Sequence, residues 1–228
     1  MTGVLITGAS RGIGRATAIA CAARGCEVGL LGRPSAEQRE TVDLCLKSGA
    51  RRVLDLSADL TVITDVERAA GEFLRTWGAP DALIHNAGVA ARTSIENTTL
   101  ASWEDQLRVN LTAPFALTRA LLPAMRERRS GRIVFVGSIS STLGSPKLSA
   151  YCATKWAIVG FMKCLAAELS DSGLMTCAVL PGSVDTQMLE GSGFAARMGA
   201  EDVAGTLLHY ALDASLAHNG ASVEMFGV

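Results

Sequence analysis

Gly3-Val4-Leu5-Ile6-Thr7-Gly8-Ala9-Ser10-Arg11-Gly12-Ile13-Gly14 decides how this chain is read. Its opening is a short apolar run of the kind that makes a buried strand. A cluster of glycines follows at the spacing G-x-x-x-G-x-G, and residues 15–24 are alanine-rich and helical in pattern, with Gly25 as a helix stop. Strand, glycine turn and helix are the setting in which glycines cradle a phosphate. The missing side chains let the backbone turn sharply and approach the ligand, while the helix N-terminus offers free N–H groups and a positive dipole end. Gly8, Ser10, Arg11, Gly12, Ile13 and Gly14 are the candidate contacts.

Working outward, strands are predicted over 26–32, 53–57, 81–85, 132–137, 174–180 and 221–226. Helical patterns fill 35–47, 64–77, 99–129, 149–171 and 200–214, with Pro114 predicted to bend or divide the longest. Strands alternating with helices predict an α/β three-layer Rossmann fold. It has a doubly wound parallel sheet of about seven strands, in one domain over 1–228. Ligands of such sheets sit beyond the strands' C-terminal ends, at the switch point. The glycine turn, Asn86-Ala87-Gly88, Ser138 and Pro181-Gly182 all follow strand ends, so one cleft can collect them.

The second strand ends at Gly32, where many dinucleotide folds carry an acid for the adenosine ribose, and Arg33 follows. Arg33 with Arg11 suits a 2′-phosphate by charge and geometry, which favours NADP(H) and leaves NAD(H) open. The competing reading is two solvated surface arginines. Asp59 and Leu60, after the third strand, are placed to flank an adenine.

Ser138 leaves the fifth strand, and Tyr151 and Lys155 stand four apart at the start of the next helix, so they share a face. A phenol is a poor acid near neutral pH, and a lysine cation nearby favours its phenolate. A hydroxyl such as Ser138 can hold the reacting oxygen. Asn110, in Arg108-Val109-Asn110 just before Pro114, is read as a satisfied amide or the holder of a water.

The chain has 228 residues, 49% hydrophobic and 19% charged, with a net charge of -1. That supplies a large core and gives no pull towards nucleic acid or an anionic membrane. The start at Met1 passes directly into the first strand without a leader pattern, and no apolar run is long enough to span a bilayer. Cys21, Cys26, Cys45, Cys152, Cys164 and Cys177 are scattered, without metal-ligand spacing. They are read as buried free thiols in a reducing cytoplasm.

Together these motifs resemble the short-chain dehydrogenase/reductase family over essentially the whole chain. Thr7-Gly8-x-x-x-Gly12-x-Gly14 is similar to its cofactor turn, and Asn86-Ala87-Gly88 to its Asn-Ala-Gly motif, which steadies the sheet beside the adenosine ribose. Asn110, Ser138, Tyr151 and Lys155 fall where the family has its catalytic tetrad, and Pro181, Gly182, Val184 and Thr186 where a segment meets the nicotinamide. The resemblance implies reversible reduction of a ketone. Tyr151 would be general acid and base, and Ser138 would orient the carbonyl. Lys155 would lower the phenol's pKa and bind the nicotinamide ribose, and Asn110 would hold a relay water. Departures are His85, where many relatives have asparagine, and a short segment over 187–199 in place of the usual substrate lid. Its glycines and Met188 suggest a mobile apolar flap.

The overall look is similar to 3-oxoacyl-carrier-protein reductases, whose acidic carrier docks on basic residues. Arg126, Arg128, Arg129 and Arg132 offer a patch for it, with cations set against a helix C-terminus as the competing reading. The partner expected is thus a small or carrier-bound carbonyl compound. The apolar helices over 99–129 and 149–171 imply a homodimer or homotetramer, since the family pairs them between subunits. The alternative function is a sensor or scaffold that binds NADP(H) without turnover. Relatives of that kind tend to lose the tyrosine or the lysine, and this chain keeps both.

Overall fold

The computed structural model describes residues 2–227, and Met1 and Val228 lie outside them. Seven parallel strands form one sheet: β1 (Gly3–Thr7), β2 (Glu27–Gly32), β3 (Val53–Ser57), β4 (Ala82–His85), β5 (Gly131–Val136), β6 (Leu174–Pro181) and β7 (Ser222–Met225). Their order is β3-β2-β1-β4-β5-β6-β7. The direction of travel reverses between β1 and β4, which puts the switch point beside the glycine turn.

Helices cover both faces, as a parallel sheet requires. The helices are α1 (Gly12–Ala23), α2 (Ala36–Lys47), α3 (Ile63–Trp77), α4 (Leu100–Leu107), α5 (Ala113–Arg128), α6 (Ser149–Glu168) and α7 (Ala200–Leu208). Alternate β1 residues feed the two cores. Val4 and Ile6 pack with Ala18, Cys45 and Val203 on one side, and Leu5 packs with Phe73, Leu121 and Met162 on the other. Five of the six cysteines are buried, all six are free, and Cys164 is exposed, contrary to its reading as buried.

The long helix read over 99–129 is interrupted. Arg108–Thr112 forms a single π-helical segment between α4 and α5, and the Ala113 N–H reaches back to the Arg108 carbonyl. Pro114 is the cause, because it has no N–H to give the Asn110 carbonyl and the ladder must shift around it. The C-terminal helix ends in the same way, with α7 passing into a π segment at His209–Asp213.

The arginine patch proves to be internal bracing. Arg126 donates to the Glu168 carbonyl, Arg128 to Ala79, Pro80 and Ser130, Arg129 to Asp171 and Arg132 to Ala214. Arg132 stands at the start of β5, the opposite end of the sheet from Ser138. Arg128 also pairs with Asp81, and the patch sits at the end of the sheet away from Ser138, so the expectation of a carrier-docking surface at the mouth of the cleft is corrected.

Candidate active site

The glycine turn is built as its spacing predicts. Gly8 holds φ +68°, and a Cβ there would come 2.7 Å from the Ala87 backbone. Gly14 lies against the Gly8 carbonyl and the Asn86 amide, with no room for a side chain. Asn86 Nδ2 donates to the carbonyls of Thr7 and Gly8 at 3.0 and 2.9 Å. The Thr7 hydroxyl accepts the N–H groups of Asn86 and Ala87. Ser10 is fixed through its carbonyl, which accepts from Arg15 Nε and Nη2 at 3.0 and 2.6 Å. Ile13 packs on the core.

The helix entry itself is left open. Arg11 occupies the N-cap of α1 in extended conformation and its side chain caps nothing, whereas Ser35 caps α2 and Thr99 caps α4. Arg11 and Arg33 are both exposed and form no ion pair among the described residues. Arg33 is close enough to Asp59 to help lower its carboxyl, after the stronger effect of the Thr61 N–H and hydroxyl. One Asp59 oxygen, Oδ1, accepts both Thr61 donors at 2.8 Å. Leu60 lines a small hollow with Thr7, His85 and Ala87. Beneath Gly32 lies buried Gln38, whose Nε2 bonds the Leu30 carbonyl and Asp55, while its Oε1 has no partner.

The predicted reactive groups converge at the ends of β4 and β5. Ser138 Oγ accepts the Ser140 N–H at 3.1 Å, so its own proton is left to give elsewhere. Tyr151 is buried beside it. Burial raises the phenol above its ordinary pKa, while a hydrogen bond with Ser138 and the charge of Arg92 pull it back. Lys155 is buried too, which brings its ammonium down to about 8. Its Nζ donates to the Val136 carbonyl at 2.7 Å and lies 5.6 Å from the centre of the Tyr151 ring. The lysine was expected to favour the phenolate directly. Here it faces the ring, and burial is the largest influence on the phenol.

Asn110 is the satisfied amide of the two readings. Its Oδ1 accepts the Val89 N–H at 2.8 Å, and its Nδ2 donates to the Val89 carbonyl and to Thr154 Oγ1. Both N–H groups are spent, so a water could use only the remaining Oδ1 lone pair or carbonyls of the π segment. Gly88 lies between Asn110 and Lys155: a Cβ there would be 3.5 Å from Oδ1 and 3.7 Å from Nζ.

The segment after β6 closes the cleft. Pro181 ends the strand, the Gly182 N–H bonds the Met225 carbonyl, and buried Val184 bridges to Met198. Thr186 sits over the glycine turn, its methyl 3.2 Å from where a Gly12 Cβ would be. Sequence reasoning passed over Arg15, Gln38, Thr154 and Arg92. Arg15 and Thr154 look like ordinary helix residues, and only an arginine soon after Asn86-Ala87-Gly88 could have drawn notice.

An open phosphate-binding turn beside a phenol, a hydroxyl and an ammonium at the switch point defines an NAD(P)-dependent dehydrogenase or reductase. Residues 2–194 match the family model described as short chain dehydrogenase. A Synechocystis 3-oxoacyl-[acyl-carrier-protein] reductase is 32% identical, with 94% of this chain and 90% of the relative covered. Levodione reductase superposes with a TM-score of 0.93 at 27% identity, covering 99% of this chain and 96% of that one. A Beutenbergia cavernae structure, described as an NAD(P) dependent gluconate 5-dehydrogenase with bound NADP at low occupancy, gives 0.90 at 31% identity, covering 98% and 94%. The chain belongs to the short-chain dehydrogenase family, and it is an NAD(P)-dependent oxidoreductase.

Proposed function

We propose that this enzyme uses NADPH to reduce a ketone to a secondary alcohol, reversibly, with Tyr151 as general acid and base. The observation that carries the reading is the Ser138–Tyr151 pair, buried next to Lys155 and the switch point. A phenol that burial keeps protonated is ready to give its proton to a developing alkoxide. Ser138, with its lone pair already engaged by Ser140, donates to the same oxygen. Lys155 supplies positive charge under the phenol, and Asn110 fixes the Val89 loop against α6 through Thr154.

The uncapped start of α1, the glycine cradle and the unpaired arginines fit a dinucleotide phosphate chain. Gly8, Ser10, Arg11, Gly12, Ile13 and Gly14 would hold it, with Asn86, Ala87, Gly88, Pro181, Gly182, Val184 and Thr186 along the cleft. When bound, the nicotinamide supplies the hydride. Arg11 and Arg33 support NADP(H) over NAD(H).

The test is Tyr151→Phe, assayed by loss of reduced-nicotinamide absorbance over a ketone panel with NADPH and, separately, NADH. Turnover should fall roughly 10²–10⁴-fold while NADPH affinity is kept. Full turnover by the variant would sink the reading, and a preference for NADH would sink the arginine argument alone.

A carrier-bound 3-oxoacyl thioester is a second reading, favoured by the name of the Synechocystis relative. The bracing role of Arg126, Arg128, Arg129 and Arg132 counts against a docked carrier. We also propose one domain over 1–228 and a homodimer or homotetramer formed through α5 and α6. Exposed Phe115 and Trp156 on those helices support that pairing. The free thiols support a reducing, cytoplasmic setting.

A further inference from the structure

Arg92 is a cation at the candidate site without an assigned task. It lies on the loop after β4 and is half-buried. The loop is pinned on both sides of it. Ala90 packs on Tyr151 and Cys152, the Ala91 N–H bonds Gln106 Oε1 at 3.2 Å, and the Thr93 N–H bonds the Lys147 carbonyl at 2.9 Å. The backbone that carries Arg92 is therefore held next to Tyr151. Its Nη1 crosses the cleft to the Met188 carbonyl of the 187–199 segment at 3.1 Å.

Most of its hydrogen-bonding capacity is unspent. Arg92 Nε is buried and has no partner. Arg15, Arg24, Arg52 and Arg119 each meet a carboxylate, while Arg92 forms no ion pair among the described residues. A buried guanidinium Nε without a partner is costly unless an acceptor arrives to satisfy it, and an anion does so best. Its planar fork of donors suits a compact oxyanion, and a carboxylate best of all.

We infer that Arg92 is a specificity-determining residue which receives an oxyanion on the substrate, so that the enzyme prefers keto acids to neutral ketones. The inference rests on the reductase reading and names the substrate class of the same site. The carbonyl would lie at Ser138 and Tyr151, and the anion at the mouth, between the loop after β4 and Met188.

The experiment compares methyl-ketone acids from 3-oxobutanoate to 6-oxoheptanoate, each against its own methyl ester, with NADPH. At least one acid should exceed its ester about tenfold in kcat/KM, the factor expected of one charge-assisted hydrogen bond. Arg92→Gln should erase that preference, and Arg92→Lys should retain part of it, with the loss carried by KM. Esters that match or beat their acids at every length, or an acid preference that survives Arg92→Gln, overturn the inference. An equal loss for acid and ester in Arg92→Gln also overturns it, since that marks a latch on Met188 alone. If no ketone of any kind turns over, the reductase reading has failed. Calorimetry of the same acids and esters on the NADPH-treated protein then decides Arg92 by itself, for it if acid binding depends on the arginine, and against it otherwise.

Discussion

The two walls of the cleft are built on opposite plans. On the cofactor side, the ends of β1 and β4 are locked together. Asn86 bonds two carbonyls, Thr7 accepts two N–H groups, and Gly14 is wedged beneath them. On the substrate side, residues 187–197 run through successive turns, such as the Leu189 N–H to the Thr186 carbonyl and the Ser192 N–H to the Leu189 carbonyl. The base of that segment is paired by the Arg197 N–H to Ser183 and the Asp185 N–H to Met198, and further along Arg92 reaches the Met188 carbonyl. Met188 and Phe194 stand exposed on it. A hub of this kind permits one arrangement, whereas a strip of turns permits many. Rigidity sits where phosphates must be met by backbone, and freedom sits where the substrate must enter.

The largest expected effect comes from forcing the hub open. Gly14→Val would push a branched side chain into the Gly8 carbonyl and the Asn86 amide, both backbone-anchored and unable to retreat. Overpacking together with two broken, part-buried hydrogen bonds should cost about 3–5 kcal/mol. Urea unfolding measures it directly. A variant as stable as the parent would mean that the turn is not the rigid half of the comparison.

That difference between the walls also explains what could be read in advance. β1, β3 and α3 lie within a residue of their predicted bounds, with Gly8 closing the turn after β1 and Gly78 stopping α3. The hub was legible for the same reason: a glycine that no other residue can replace is visible in the chain itself. The break at Arg108–Thr112 was legible as a seam at Pro114, but not as a π segment, since how the ladder shifts depends on packing. The Lys155 geometry was not legible at all. Spacing puts it on the face of Tyr151, yet only the packed strand end reveals the Val136 carbonyl that draws the ammonium away. The arginine patch misled because a cation cluster in sequence does not say which carbonyls lie within reach.

A middle-sized effect should expose the hub's one polar weakness. His85 ends β4, stacks on Phe135 at 4.7 Å and bonds Thr118 through Nε2 at 2.9 Å. Its Nδ1 is buried without a partner, and burial pushes the imidazole down to about 3. An unfolded histidine titrates near ~6.5, so between there and about 3 the unfolded chain binds the extra proton. The stability tied to neutral His85 is therefore whole above ~6.5 and is lost as pH falls through that window, at about 1.4 kcal/mol per pH unit. Unfolding free energies from urea at pH 7 and pH 5 should differ by about 2 kcal/mol more in the parent than in His85→Asn. Equal losses in the two proteins would remove His85 from the account and leave acid sensitivity to the paired carboxylates, such as Asp59 and Asp213.

The smallest expected effect on stability is also the one that tests the other wall. Phe194→Ser removes an exposed ring from a segment whose neighbours are mostly turns and solvent. Surface changes of this kind stay within about 0.5 kcal/mol, so the urea midpoint should barely move. The same change removes apolar surface from the flap that faces incoming ketone, so KM should rise several-fold for bulky ketones while kcat with a small one is kept. A split of that kind, with folding untouched and substrate affinity altered, is what a loosely held wall predicts and a structural wall does not. If Phe194→Ser instead unfolds the protein at lower urea, residues 187–197 are part of the cooperative unit. The short flap would then have to be counted with the hub.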